Sequence, residues 1–319
     1  MSEQHRLLTN LEGRHDFDVR WPRDFRSLIP GVTAVLRVKD EARSLPWVLP
    51  PLFEAVQHVV LVDNQSTDGS PEVARDVAGR LGVPDRLTLA AYPFDVSRCG
   101  SEHLATPEGS VHNLAYFYNW AFSHVRTQYS MKWDGDMVLT AEGVQTFAAL
   151  AWQLESVEAV VLMPRHPLFV ESDRVAWLDV YLENVEEYVF PMGEDYRHVK
   201  AYEWEMRMVP KRARRLRLPE GLCLELKYLD SDEFDHWVDP DSFGTTRRTL
   251  RKQREWEVFH ALREGRQVPG VVRIEAPPDY SHVVDYATEV WLPRRQRPIT
   301  VPEDDRHDVS RARPTAGGD

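Results

Sequence analysis

Cysteine is nearly missing from this chain. Cys99 and Cys223 are the only two among 319 residues. Two thiols do not make a disulfide framework, so a reducing compartment and a cytoplasmic protein are expected. Long apolar runs are missing as well. No stretch approaches the ~20 residues that span a bilayer, and no apolar segment follows Met1-Ser-Glu-Gln-His-Arg6 as a signal peptide would require. Positive charge is in deficit: 51 Asp and Glu stand against 39 Lys and Arg, a formal net charge of -12. A general nucleic-acid binder, which needs a basic face, is excluded. An internal repeat and low-complexity blocks are absent too.

What is present suits a globular α/β protein, with 42% hydrophobic and 10% aromatic residues. Residues 1–30 are polar and broken by Pro22 and Pro30, which reads as an N-terminal extension. Gly31–Val38 is apolar and β-branched, a first strand. Residues 41–56 carry helical spacing interrupted by Pro46, Pro50 and Pro51. His58–Asp63 reads as a buried parallel strand. Ser70-Pro71 opens a helix to about Leu81, because Ser can cap and Pro fits the first turn. Arg86–Ala91 is a third strand, Val111–Val125 an aromatic helix, and a further strand ends at Asp134. This alternation predicts a doubly wound, mostly parallel sheet. Ligands of such sheets sit beyond the strands' carboxyl ends. The polar runs after residues 37, 63 and 134 would open onto one crevice. Past Val138 only Val157–Met163 reads as a strand and 245–265 as a charged amphipathic helix. Residues 293–319 read as a mobile tail.

Asp134-Gly135-Asp136 carries the chemistry. Two like charges this close repel, and each is costly to take out of water. A divalent cation removes both problems: Mg²⁺ or Mn²⁺ takes oxygen ligands from one or two carboxylates plus substrate phosphates. Asp-x-Asp at a strand end therefore reads as a clamp for a metal-bound diphosphate. The alternative is a solvated turn, since Asp and Gly are ordinary turn residues.

Residues 31–165 resemble the family-two inverting glycosyltransferases of the GT-A fold. The resemblance lies in Ala34-Val-Leu-Arg37-Val-Lys39-Asp40-Glu41, with Asp40 where the family has Asn. It continues in Val60-Leu-Val-Asp63-Asn64-Gln-Ser-Thr-Asp68-Gly-Ser70, Leu114–Ala121 and Lys132-Trp-Asp134-Gly-Asp136. It implies a nucleotide-binding half over 31–165, and an acceptor half with C-terminal helices over 166–292. It also implies a nucleotide-diphosphate sugar donor, with a UDP-sugar first in line. Asp136 and Asp134 would hold Mn²⁺ or Mg²⁺, and Arg37, Lys39, Glu41, Asp63, Asn64 and Asp134 would bind the donor. The acceptor would be a hydroxyl of a glycan, glycolipid or secondary metabolite. An inverting transferase needs one carboxylate to take the acceptor proton. The family's order allows Glu194, Asp195, Glu203 or Glu205, with Asp232 and Asp235 behind them; Trp204 or Tyr196 would wall the sugar. The family's basic residue before the helix is replaced by His112 and Asn113. His236 and His282 are further metal-ligand candidates, and Lys211–Arg215 reads as a solvated face.

Two other classes compete. Asp134-Gly-Asp136-Met-Val138 also fits the motif of haloacid-dehalogenase-type phosphatases, with Asp134 as nucleophile and Asp136 as acid, although that fold puts the motif on its first strand. A non-catalytic sugar-binding protein would keep the fold and lose the metal. A sugar nucleotidyltransferase would need a Gly-rich first loop ending in Arg, which is absent.

Overall fold

The structure is a computed structural model that describes residues 5–154, 156–181, 184–231, 234 and 247–292. The chain opens with β1 (His5–Leu8) and β2 (Val19–Pro22), an antiparallel hairpin. Val19, Trp21 and Phe25 from this segment are buried in the main core, so the hairpin is part of the packed body.

The parallel half follows the predicted alternation: β3 (Ile29–Val38), α1 (Leu45–Ala55), β4 (His58–Asp63), α2 (Ser70–Arg80) and β5 (Leu87–Ala91). Then come α3 (Ser101–Ala105), α4 (Leu114–Phe122) and β6 (Thr127–Asp134). β4 matches its sequence bounds because its apolar run is continuous, as befits a strand buried on both faces. Pro50 and Pro51 sit inside α1 and remove two backbone donors. Burial of Leu45, Val48, Leu49, Leu52 and Phe53 offsets that loss. Asn113 caps α4 by accepting from the Ala115 and Tyr116 amides.

The second half adds β7 (Met137–Leu139), α5 (Ala141–Gln153), β8 (Ala159–Val170), β9 (Val175–Asp179) and β10 (Asn184–Pro191). It continues with β11 (His198–Ala201), β12 (Trp204–Arg207), β13 (Arg214–Arg217) and β14 (Cys223–Tyr228). The last described elements are α6 (Arg247–Arg263), β15 (Val271–Glu275) and α7 (Val283–Tyr286).

Among the described residues the main sheet has eleven strands in the order β15-β9-β8-β10-β6-β3-β4-β5, with β13 and β14 also on β8 and β7 on β14. Most strands run one way; β7, β9 and β10 run against them. The mostly parallel sheet is as expected, with β10 as an antiparallel insertion between β6 and β8. α1 packs against α2 and α5, whereas α4 packs against β11 and β12, as right-handed crossovers that reverse direction before β6 would have it.

Candidate active site at the carboxyl edge

β3 fixes the site. In register, its Val38 pairs with Asp63 of β4 and its Arg37 pairs with Asp134 of β6. The two aspartates therefore end the strands that flank β3 on either side, at the same carboxyl edge. After Asp134 the chain turns through Gly135 and Asp136 into β7. Trp133 Nε1 donates to the Met137 carbonyl at 2.8 Å and braces this turn. A Cβ on Gly135 would meet Glu41 Cγ at 2.7 Å, so Glu41 lies over the turn and would have to shift for any side chain there.

The pair is neutralised from within the chain. The Arg37 guanidinium donates to Asp134 Oδ1 and stacks on the Tyr118 ring, 4.1 Å from its centroid. Arg165 Nη1 lies 3.4 Å from Asp134 Oδ2, and its Nε lies 3.1 Å from Glu225 Oε2. Lys227 Nζ is 2.7 Å from Asp136 Oδ2 and 3.2 Å from Glu225 Oε1. Lys132 reaches Glu186 at 3.2 Å, as does Arg251 from α6. The Asp134 side chain keeps 30% exposure, whereas Asp136 and Lys227 keep 12% and 7%. Burial alone would raise the Asp134 pKa; Arg37, Lys132 and Arg165 outweigh it and hold the carboxyl below its usual range. Glu225 is depressed in the same way by Arg165 and Lys227.

A metal centre needs carboxylate oxygens that face the ion. Here Lys227 sits on Asp136, and two guanidiniums sit on Asp134. Among the described residues no group of three or more His, Cys, Asp or Glu side chains is arranged to hold a metal. As arranged, these residues do not fit Mg²⁺ or Mn²⁺: the ion would have to displace one ammonium and lie beside three further cations.

The other expected residues divide. Asp63 accepts from the Ser66 amide at 3.2 Å at the carboxyl end of β4. Asn64 is not a base reader as placed: its amide donates to the Tyr92 and Phe94 carbonyls at 3.0 and 2.8 Å and ties β4 to the chain after β5. Lys39 is exposed beyond β3. Asp40, at a φ of 59°, accepts from the Thr67 amide at 2.6 Å, and Asp68 accepts from the Ala42 amide at 2.8 Å. Much of the Asp63–Ser70 motif thus knits two loops together. His112 Nδ1 contacts the Asp95 carbonyl at 2.7 Å.

Of the base candidates, Glu194 and Asp195 lie on the wrong side. β10 runs antiparallel and its Pro191 pairs with Tyr129, near the amino end of β6. Residues after it emerge at the edge opposite Asp134, about 17 Å away at ~3.3 Å per residue. There Glu194 pairs with Arg6 and Asp195 with Arg212. Tyr196 is buried and donates to Glu158, so it is core rather than a sugar wall. The β11–β12 hairpin packs on α4. Glu203 at its tip is exposed, and its carbonyl accepts from the Gly100 amide. Glu205 is half-buried, and its charge acts on Arg37, Tyr118 and Lys132. Of these four, Glu205 is the one whose charge acts on Arg37 and Lys132, the cations beside Asp134. His282 caps α7 through the Val284 amide and stacks on Trp47, away from any ligand set. Asp232, Asp235, His236 and the tail 293–319 lie outside the described residues.

Sequence reasoning missed Arg165, Glu186, Glu225, Lys227 and Tyr118. Their signal is charge inside apolar strands: Cys223-Leu-Glu-Leu-Lys-Tyr228 is buried throughout, with Glu225 and Lys227 two apart on one face. The phosphatase alternative loses its support, since Asp134 ends β6, after three earlier strands of the sheet, and Asp136 is ion-paired. Among the described residues no helix is long and apolar enough to cross a membrane.

No protein-family model matches the chain. No curated protein sequence matches it either. Among solved structures, the chain is similar to S. aureus TarS 1-349 at 14% identity and TM-score 0.28, over 44% of this chain and 36% of that one. It is similar to glucosyl-3-phosphoglycerate synthase from Mycobacterium tuberculosis, solved with Mn²⁺, UDP and phosphoglyceric acid, at 11% identity and TM-score 0.26, over 43% of each chain. The aligned region is thus under half the length of both proteins. The mannosyltransferase PcManGT from Pyrobaculum calidifontis, solved with GDP-Man and Mn²⁺, aligns at 16% identity and TM-score 0.37, over 75% of this chain and 70% of that one. Over part of its length the chain is similar to these glycosyltransferase structures.

Proposed function

We propose that the chain is a GT-A type glycosyltransferase that takes a sugar from a nucleoside-diphosphate donor, with inversion at the anomeric carbon. The observation that carries this reading is the register of β3, which sets Asp63 and Asp134 on either side of it at the carboxyl edge. That edge is where α/β sheets of this kind bind ligands. Asp63 suits the base or ribose of the donor. The Asp134 edge, with Arg37, Lys132 and Arg165 behind it, suits the diphosphate. Glu205 is the base: it removes the acceptor hydroxyl's proton as that oxygen attacks the anomeric carbon, and the bond to the diphosphate breaks with the nucleotide as leaving group. Dependence on Mn²⁺ or Mg²⁺ at Asp134 and Asp136, which the family resemblance implies, would require Lys227 to move off Asp136.

The test is release of nucleoside diphosphate from UDP- and GDP-sugars, with water as the default acceptor. Turnover of at least one donor is expected. Asp134→Asn should weaken donor binding. Glu205→Gln should lower turnover by ~10²–10⁴ while donor affinity holds. Turnover of no donor, or full turnover in Glu205→Gln, overturns the assignment.

A further inference from the structure

The acidic pair already holds its countercharge. Lys227 is pinned between Asp136 and Glu225, and Arg165 spans Asp134 and Glu225. Arg37 covers Asp134 from β3. Lys132 stands two residues before Asp134 on β6, hence on the same face, and its charge acts on Asp134. These are all buried or nearly so, and they come from four strands, so their meeting is built into the sheet. Among the described residues Arg37, whose side chain is 4% exposed, has an Nη1 with no hydrogen-bond partner. A buried guanidinium nitrogen without an acceptor is costly, and a phosphate oxygen is the acceptor that suits it best.

We propose that this site binds the diphosphate without a divalent cation, Lys227 holding Asp136 where an ion would sit and Arg37, Lys132 and Arg165 facing the phosphates. The inference rests on reading the carboxyl edge as a nucleoside-diphosphate site. In ordinary Asp-x-Asp clamps the ion does two things: it relieves repulsion between the carboxylates and it attracts the phosphates. Here the first is done by Lys227 and Arg165, and the second falls to the cations around Asp134. Lys227 is a positioning residue, since it acts through Asp136 and Glu225.

The test is calorimetric titration of the full chain with UDP and with GDP, in excess EDTA and then in Mn²⁺. The same affinity in both conditions is expected for whichever nucleotide binds. Lys227→Met should lose at least about tenfold in EDTA, ~1.4 kcal/mol, and Mn²⁺ should restore binding by taking the vacated place. Lys227→Arg should keep EDTA-resistant binding. Wild-type binding that appears only with Mn²⁺ overturns the inference and leaves the nucleotide site standing. No binding of either nucleotide in either condition overturns the site and the inference with it. Lys227→Met that binds in EDTA like wild type overturns the role of Lys227. Should Lys227→Met not fold, the wild-type comparison alone decides the metal question.

Discussion

Replacing Lys227 by Met should be among the most damaging single changes in this protein. Its ammonium lies 2.7 Å from Asp136 and 3.2 Å from Glu225, with all three side chains at or below 12% exposure. Removing one partner of a buried pair leaves an uncompensated charge and costs ~3–5 kcal/mol. Glu225 retains Arg165 at 3.1 Å, so the cost falls mainly on Asp136. Asp136→Asn should cost less, about 1–3 kcal/mol, because Lys227 keeps Glu225 and the amide oxygen can still accept. The double variant removes both charges at once and should cost less than the sum, with a coupling of about 1–3 kcal/mol. Urea unfolding measures each value, provided the m-value stays constant. A Lys227→Met cost below ~1 kcal/mol, with the two substitutions additive within ~0.5 kcal/mol, would refute the buried pair.

Other consequences can be checked separately. Gly135→Ala places a methyl 2.7 Å from Glu41 Cγ; it should displace Glu41, cost ~1–3 kcal/mol and weaken nucleotide affinity, which calorimetry and urea titration read together. His198 is 4% exposed, and burial, reinforced by Arg207 and Arg37, holds its pKa well below normal. The unfolded chain therefore binds the extra proton below ~6.5, so stability is full above that pH and is lost as pH falls, by up to ~1.4 kcal/mol per unit. His198→Phe should flatten that slope in pH-dependent melting. Glu194→Gln and Asp195→Asn, at the opposite edge, should leave donor turnover unchanged; a large loss in either would move the base away from Glu205.

The parallel half was legible because its strands are buried on both faces. Val59 to Val62 are wholly inaccessible, and nothing in His58–Asp63 but apolar bulk was needed to see a strand. The acidic pair and its edge were legible for the same reason, since an apolar strand that ends in Asp announces its carboxyl end. The second half was less legible: only the start of β8 and the helix α6 could be read. β8, β10 and β14 carry Arg165, Glu186, Glu187, Glu225 and Lys227, which break the apolar pattern, and their burial is stabilised by partners far away in sequence. Glu194 and Asp195 looked equivalent to Glu205 because order along the chain does not reveal that β10 runs backward. Asn64 looked like a ligand contact, but a loop motif of this composition also satisfies its own backbone. The cations that hold Asp134 and Asp136 could be found only once the strands were in register.

The central claim is that a nucleoside diphosphate seats at the carboxyl edge formed by β3, β4 and β6. Hydrogen–deuterium exchange with saturating UDP or GDP tests it most directly. The account predicts slowed exchange in residues 37–41, 63–68 and 134–137 together, and no change around Glu194 and Asp195. Protection confined to other segments, or none from a nucleotide that binds, would contradict it.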